Sequence, residues 1–372
     1  MKVFIIAGES SGDLHAARLM RALRAIRPDV EFAGIGGNAM AAEGLNSLVP
    51  LDQLSVVGFA EIARNYPRLR RILNSTCHSL REWKPDVVVP VDYPGFNTRV
   101  SAFATSHAIP VVWYIAPQLW AWGKNRAASF ARGVSELLVV FPFEEEFFRQ
   151  FGITTHFVGH PLLDDPHFSA PPPSLAERSD TVAFLPGSRA QEIHRHMPLF
   201  RAVAHILRER EPHLRFGLAR SRAIDAGLLQ AYNKDGLFTI HDDARALMKT
   251  ARVGCIKTGT STLEAALCGL PMCSIYKTSS LTYRLGRFLV KLPSIALPNI
   301  LAKRPLVREF IQHEATAQSV SSEMLRLLHD TQAATTMIDE FVNLRSHLGE
   351  SGAAHRAAEH VVRCVVEQGR RS

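Results

Sequence analysis

Short aliphatic and β-branched runs alternate with helix-patterned segments along this chain, and that alternation constrains its fold more than any other feature. Residues 3–7, 31–34, 87–91, 110–115 and 137–141 are strand-length and nearly all apolar, as expected of parallel strands covered on both faces. Between the first two lies an amphipathic segment, residues 14–26. It gathers Leu14, Ala17, Leu19, Leu23 and Ile26 near one face, and sets Arg18, Arg21, Arg24 and Arg27 in a solvated row on another. After strand-like residues 156–158 come Gly159 through Pro166, then Pro171, Pro172, Pro173 and Ser174, a stretch unfit for helix or central strand. A domain linker is placed there. Alternation resumes at residues 181–185, 214–218, 238–241, 253–256 and 272–275, and helices dominate from Thr316 onward. The predicted fold is α/β with two Rossmann-like domains, residues 1–165 and 166–345. A closing helix over 346–372, with Ser351 as candidate N-cap, packs back on the first domain.

The 372 residues suit two domains, and 47% hydrophobic with 21% charged residues excludes a disordered chain or a disulfide miniprotein. The five cysteines (Cys77, Cys255, Cys268, Cys273 and Cys364) form no CxxC pair, which predicts a reducing compartment. The apolar run after Met1 breaks at Gly8 and Glu9, too early for a signal peptide. The greasy stretch 109–122 contains two prolines and falls short of the ~20 residues of a spanning helix. The net charge of +8 fits nucleic acid, anionic headgroups or a phosphorylated substrate. No zinc-finger spacing, RNP-type strand or basic zipper accompanies it, so nucleic acid is not expected as a partner.

Four segments carry candidate chemistry. Ala7-Gly8-Glu9-Ser10-Ser11-Gly12-Asp13 joins the first strand to the first helix, but it is neither GxGxxG nor a Walker loop. Asp13 reads equally as a cap or a site residue, and Glu9, placed before the turn, as a ligand-facing group. Asp92 ends a buried strand, where open α/β sheets bind ligands; it is either a general base with a raised pKa or a turn former ahead of Pro94. Gly187-Ser188-Arg189 again follows a strand, and an arginine beside backbone amides suits a diphosphate. His194 and His196, close behind, are taken as exposed helix-start residues.

Lys257-Thr258-Gly259-Thr260-Ser261-Thr262-Leu263-Glu264 is the fourth segment and the strongest local signal: small hydroxyl residues and a glycine open a helix whose N-terminus attracts negative charge. Glu264 is placed to reach a ribose diol or to complete a capping box with Thr260 or Ser261. Both halves thus direct ligand loops to one cleft, with a nucleotide held mainly by the second. No DxD triplet occurs, Asp164-Asp165 and Asp242-Asp243 being adjacent pairs, which disfavours metal-dependent sugar transfer. Lastly, Val56, Val57, Phe59, Ile62, Leu69, Ile72 and Leu73 lie among Arg64, Arg68, Arg70 and Arg71. That mixture fits either a membrane-facing, acyl-chain-binding helix or a core helix with a charged outside.

Taken together, these pieces resemble the lipid-A-disaccharide synthases over nearly the whole chain. The resemblance rests on residues 7–13, Lys84-Pro85-Asp86, residues 92–97, Pro117-Gln118-Leu119-Trp120-Ala121-Trp122, residues 157–161, residues 185–189, residues 258–264 and Leu297-Pro298-Asn299. It implies the glycosyltransferase B architecture and an inverting transfer. UDP-2,3-diacylglucosamine and 2,3-diacylglucosamine 1-phosphate (lipid X) would give UDP and a β-1,6-linked disaccharide 1-phosphate, with no cofactor and no catalytic metal. Carried over by motif, Asp92 is the implied base, with Glu9, Arg189 and Asn299 in the active site. The sequence departs from the pattern at Ser10, Gly95 and Ser261; a glycine at 95 puts the weight of that loop on Asp92.

The location implied is cytoplasmic, peripheral on the cytoplasmic face of the bacterial inner membrane with its anionic lipids as partners, and a homodimer is left open. A UDP-sugar epimerase or another glycosyltransferase of this fold would share the nucleotide loops but need no greasy acceptor surface. A binding module would hold UDP without turnover.

Overall fold

The structure, a computed structural model, describes residues 1–54, 59–221, 224–279, 283 and 293–369, without the side chains of 52, 59–65 and 122. The chain divides into two compact units, Met1–Asp164 with Leu348–Ser372, and Asp165–His347.

In the first unit β1 (Lys2–Ala7), β2 (Glu31–Ile35), β3 (Val87–Val91), β4 (Val112–Tyr114), β5 (Glu136–Val139) and β6 (Thr154–Phe157) form one parallel sheet in the order β2-β1-β3-β4-β5-β6. All five residues of β3 are buried, including Pro90, which a central strand normally excludes. The ladder to β4 accommodates it by omitting one bond. Val88 N–H donates to Pro110 O at 2.9 Å and Asp92 N–H to Tyr114 O at 3.0 Å, with the missing proline donor falling between them.

In the second unit β7 (Ser179–Leu185), β8 (Arg215–Ala219), β9 (Thr239–His241), β10 (Ala251–Lys257), β11 (Met272–Tyr276) and β12 (Arg308–Ile311) form a parallel sheet ordered β12-β11-β10-β7-β8-β9. Counted within the unit this is 3-2-1-4-5-6, the dinucleotide-fold order, and the first unit's order, which begins 2-1-3, is that of the other common doubly wound sheet, so both units are Rossmann-like as expected. Strand β12 was not expected: it is a four-residue edge strand beginning Arg308-Glu309, and charged edges of this kind carry little strand signal.

The final helix, Ala353–Gly369, packs on the first helix, Ser10–Ile26. Its opening amides, those of Gly352, Ala353 and Ala354, donate to the Asp164 carboxylate, so Asp164 does the capping expected of Ser351. Leu14 is 53% exposed, outside the core face on which periodicity places it. The arginine row on the same helix is tied down at the surface, Arg21 to Glu43 and Arg27 to Asp29.

Helix Phe59–Trp83 corrects part of the acyl-chain expectation. Ile72 is buried in the first unit's core, and Leu69 and Leu73 pack against that core beside Trp83, so these three are core residues. Arg68 is half-buried, while Arg70 and Arg71 are exposed. Val56 and Val57, and the side chains of Phe59, Ile62 and Arg64, lie outside the described residues.

Candidate active site

In an open parallel sheet, the loops after two neighbouring strands part company where the strand order reverses, leaving a crevice at the carboxyl edge. In the first unit that point lies between β1 and β3, and the loops leaving it carry Glu9 and Asp92. Asp92 and Tyr93 both adopt left-handed backbone, with φ of 49° and 51°, and Ile115 after β4 does so at 65°. Such conformations are costly away from glycine, most of all for a β-branched residue, and they gather here at one sheet edge. Asn97 holds the turn: its buried amide donates to the Asp92 carbonyl at 2.8 Å. The Tyr93 ring lies so close to Gly8 that a Cβ there would meet it at 2.1 Å, and the Tyr93 hydroxyl donates to Leu54 O. A glycine before Glu9 is therefore a packing requirement of the Asp92 turn. A Cβ at Gly95 would meet nothing within 4 Å, so that position tolerates side chains.

Burial pushes the Asp92 carboxyl up to about 6; the Tyr93 N–H opposes the shift, and the charge of Glu9 adds to it. Glu144 is a third carboxyl acting on this site. Burial pushes it up to about 7 against hydrogen bonds from Trp120 Nε1, at 2.9 Å, and from the Phe141 and Val140 amides, with the charge of Asp92 adding. Sequence reasoning passed over Glu144. Its signal was Phe141-Pro142-Phe143-Glu144 directly after a strand, a proline-opened helix with a carboxylate at its third position. Glu9 occupies the N-cap position of Ser10–Ile26 but makes no side-chain cap bond. Asp13 is a cap, though for another helix: it accepts from Gly37, Ala39 and Met40 N–H at 2.7, 2.9 and 3.1 Å.

The second unit's reversal point lies between β7 and β10, and its two loops are those carrying Gly187-Ser188-Arg189 and residues 258–262. Glu192 ties them together, accepting from Ser188 N–H at 2.9 Å and pairing with Lys257 Nζ at 2.8 Å and Arg189 at 3.6 Å. Gly187, at φ +119°, passes Glu192 at a distance that leaves no room for a Cβ. Burial acts against the Glu192 charge, but Lys257, Ser188 N–H and Arg189 together hold its pKa below the usual value. Two cations and one carboxylate leave this loop pair positive.

Not every hydroxyl of the 258–262 loop faces outward. Thr258 is buried and donates to Ile275 O at 3.1 Å, and Thr262 donates to Gly259 O at 2.7 Å, so both brace the loop. Thr260 is exposed and Ser261 half-buried, in the first turn of helix Thr260–Leu267, where amides lack intrahelical acceptors. Gly259, not Thr260 or Ser261, is the N-cap, which removes the capping-box reading of Glu264. Glu264 instead pairs with Arg245 at 3.5 Å, and Arg245 with Asp165 at 2.6 Å.

His194 is exposed as expected, but His196 is buried. Its Nδ1 donates to Pro186 O at 2.8 Å and its Nε2 accepts from Lys277 N–H at 3.4 Å, joining the ends of β7 and β11 as a neutral ring. Asn299 is buried with its whole amide committed. It donates to Val307 O and Glu309 at 2.8 and 2.7 Å, and accepts from the Leu306 and Val307 amides at 2.8 Å each. The adjacent aspartate pairs are structural too, Asp243 capping helix Ala244–Thr250 and Asp242 pairing with Arg220.

Two Rossmann-like units, each with a polar loop pair at its reversal point, define the glycosyltransferase B class of architecture. Its solved members of similar fold include a UDP-GlcNAc 2-epimerase from Methanocaldococcus jannaschii (TM-score 0.63, 14% identity, 98% of this chain and 100% of that one). The glycotransferase of kitacinnamycin is another (TM-score 0.62, 16% identity, 98% of each chain). A family model described as lipid-A-disaccharide synthetase matches residues 3–361, and the curated lipid-A-disaccharide synthase of Anaeromyxobacter dehalogenans is 36% identical over 97% of both chains. The chain belongs to the lipid-A-disaccharide synthase family. It is a glycosyltransferase of lipid A biosynthesis, joining UDP-2,3-diacylglucosamine to 2,3-diacylglucosamine 1-phosphate with inversion and release of UDP.

Proposed function

We propose that Asp92 is the general base of this transfer. It takes the proton from the acceptor 6-hydroxyl as that oxygen attacks the anomeric carbon and the bond to the UDP oxygen breaks. The observation that carries the reading is a half-buried carboxyl at the carboxyl edge of β3, with a pKa raised to about 6 and fixed on a strained, braced turn. A base of that strength is ionised at neutral pH yet basic enough to accept a proton in the transition state. Glu9 raises its basicity, and Gly8, Tyr93 and Asn97 hold its backbone.

UDP is assigned to the second unit. The Arg189 guanidinium, the amides of Gly187 and Ser188, and the hydroxyls and amides of Thr260 and Ser261 stabilise the departing diphosphate, with Gly259, Thr258 and Thr262 shaping the loop. Glu264 takes the ribose diol, oriented by Arg245, and Asn299 acts as a positioning residue because its amide is fully committed. Arg189→Ala should weaken UDP binding roughly 10- to 100-fold, the worth of a charged hydrogen bond, with little change in melting temperature; isothermal titration calorimetry with UDP measures it.

The proposal places the protein in the cytoplasm, peripheral on the inner membrane. No helix among the described residues is long and apolar enough to span a bilayer. Arg68, Arg70 and Arg71 supply a basic patch worth about 1 kcal/mol per charge near an anionic surface. Reversing all three to glutamate should release the protein from phosphatidylglycerol vesicles in a flotation assay, and unchanged flotation would count against the patch.

The transfer itself is tested by mass spectrometry after incubating purified protein and both diacylated sugars with excess EDTA. The disaccharide 1-phosphate and UDP are expected in equal amounts. Turnover of deacylated sugars at the same rate would favour another sugar transferase or an epimerase.

A further inference from the structure

Glu136, His156 and His360 lie on the first unit, apart from every residue assigned above, and their donor atoms all fall within 4.8 Å of one another. The sheet register brings two of them together. Glu136 opens β5, Leu138 is paired with His156 of β6, and alternate residues of a strand share a face, so Glu136 and His156 are diagonal neighbours on one side. The final helix Ala353–Gly369 crosses that side and adds His360, whose ring centroid lies 4.1 Å from that of His156.

The spacing within the cluster is informative. Glu136 Oε2 is buried without a hydrogen-bond partner, and it lies 3.7 Å from His156 Nε2 and 3.7 Å from His360 Nδ1. That is too long for hydrogen bonds, whose heavy atoms approach to about 2.7–3.2 Å. It is close to the roughly 3.3–3.5 Å that separates two ligands of a tetrahedral ion with bonds of about 2.0–2.2 Å. We propose that Glu136, His156 and His360 form a zinc site that fastens the final helix to the edge of the first sheet, with water in the fourth position.

The surroundings bear on the proposal from both sides. Cys364, one helical turn beyond His360, is buried beside Glu136. The exposed Arg363 contacts His360 Nδ1 and must swing into solvent for the ion to enter. Glu145 adds negative charge near His156.

Zinc chloride titrated into the chelator-treated full-length protein tests this. Calorimetry should show one saturable site per chain. His156→Gln and His360→Gln should each weaken it at least about 100-fold, beyond the cost of losing an outer-shell partner, and Arg363→Gln should tighten it. Zinc should also raise the melting temperature of the wild type and not of either histidine variant. If a histidine variant fails to fold by circular dichroism, Glu136→Gln carries the same expectation. No saturable binding to the wild type, or binding that survives in the ligand variants, overturns the proposal.

Discussion

Asp92→Asn is expected to lower turnover by about 10²- to 10⁴-fold, the contribution of a positioned general base, while leaving UDP affinity unchanged. The substitution is well matched to its setting. Asparagine tolerates left-handed backbone nearly as readily as aspartate, and Asn97 bonds the main-chain carbonyl of residue 92 rather than its side chain. The turn, Tyr93 and the packing against Gly8 therefore survive. Removing a carboxylate whose ionisation burial disfavours also leaves stability intact or raised at neutral pH. Single-turnover kinetics, UDP calorimetry and a melting curve on one preparation separate the outcomes. A variant with full turnover, or one that loses UDP binding in parallel, would assign the base elsewhere.

The largest expected loss of stability comes from Arg178, a residue with no part in the chemistry. It is 5% exposed, and its two terminal nitrogens donate to six backbone carbonyls, those of Met248, Lys249, Ala251, Pro173, Cys268 and Gly269. One side chain thus satisfies the segment before β7, the end of helix Ala244–Thr250 and the turn after helix Thr260–Leu267. Burial lowers its pKa to about 10, which still leaves it charged at neutral pH. Arg178→Met fills similar space and leaves those carbonyls without donors. At about 1–3 kcal/mol for each buried polar group left unsatisfied, the loss should exceed about 3 kcal/mol even if several carbonyls find water. Thermal unfolding of the variant should show the second unit melting well below the first, with the Asp92 pKa untouched. An unchanged midpoint would mean that those carbonyls are satisfied without the guanidinium.

The strand–helix alternation and the two loop pairs at the sheets' reversal points were legible because buried parallel strands write themselves as apolar runs, and glycine-rich turns after them mark the carboxyl edge. Asp92, Arg189 and the 258–264 loop were placed at those edges this way. What escaped were groups whose partners lie far along the chain. Asp13 caps a helix about 25 residues later, Asp164 caps one nearly 190 residues later, and Glu136, His156 and His360 meet only once two strands and the last helix are assembled. Local pattern also cannot tell how many hydrogen bonds a polar side chain has already made, which is why Asn299 and His196 read as open groups and are committed ones. The 56–73 segment shows the same limit for apolar residues. Amphipathicity fixed the helix, but only packing shows that Leu69, Ile72 and Leu73 face the core.

The dependence of kcat/KM on pH tests the role of Asp92 most directly, because it reads the ionisation of the free enzyme's base. Burial raises that carboxyl to about 6, so it is ionised above this value and protonated below it. For the wild type the account predicts a plateau near neutrality and a tenfold fall per pH unit below about 6. For Asp92→Asn it predicts a low rate with that acid limb gone. An acid limb that persists unchanged in Asp92→Asn would contradict the assignment and place the base on another group.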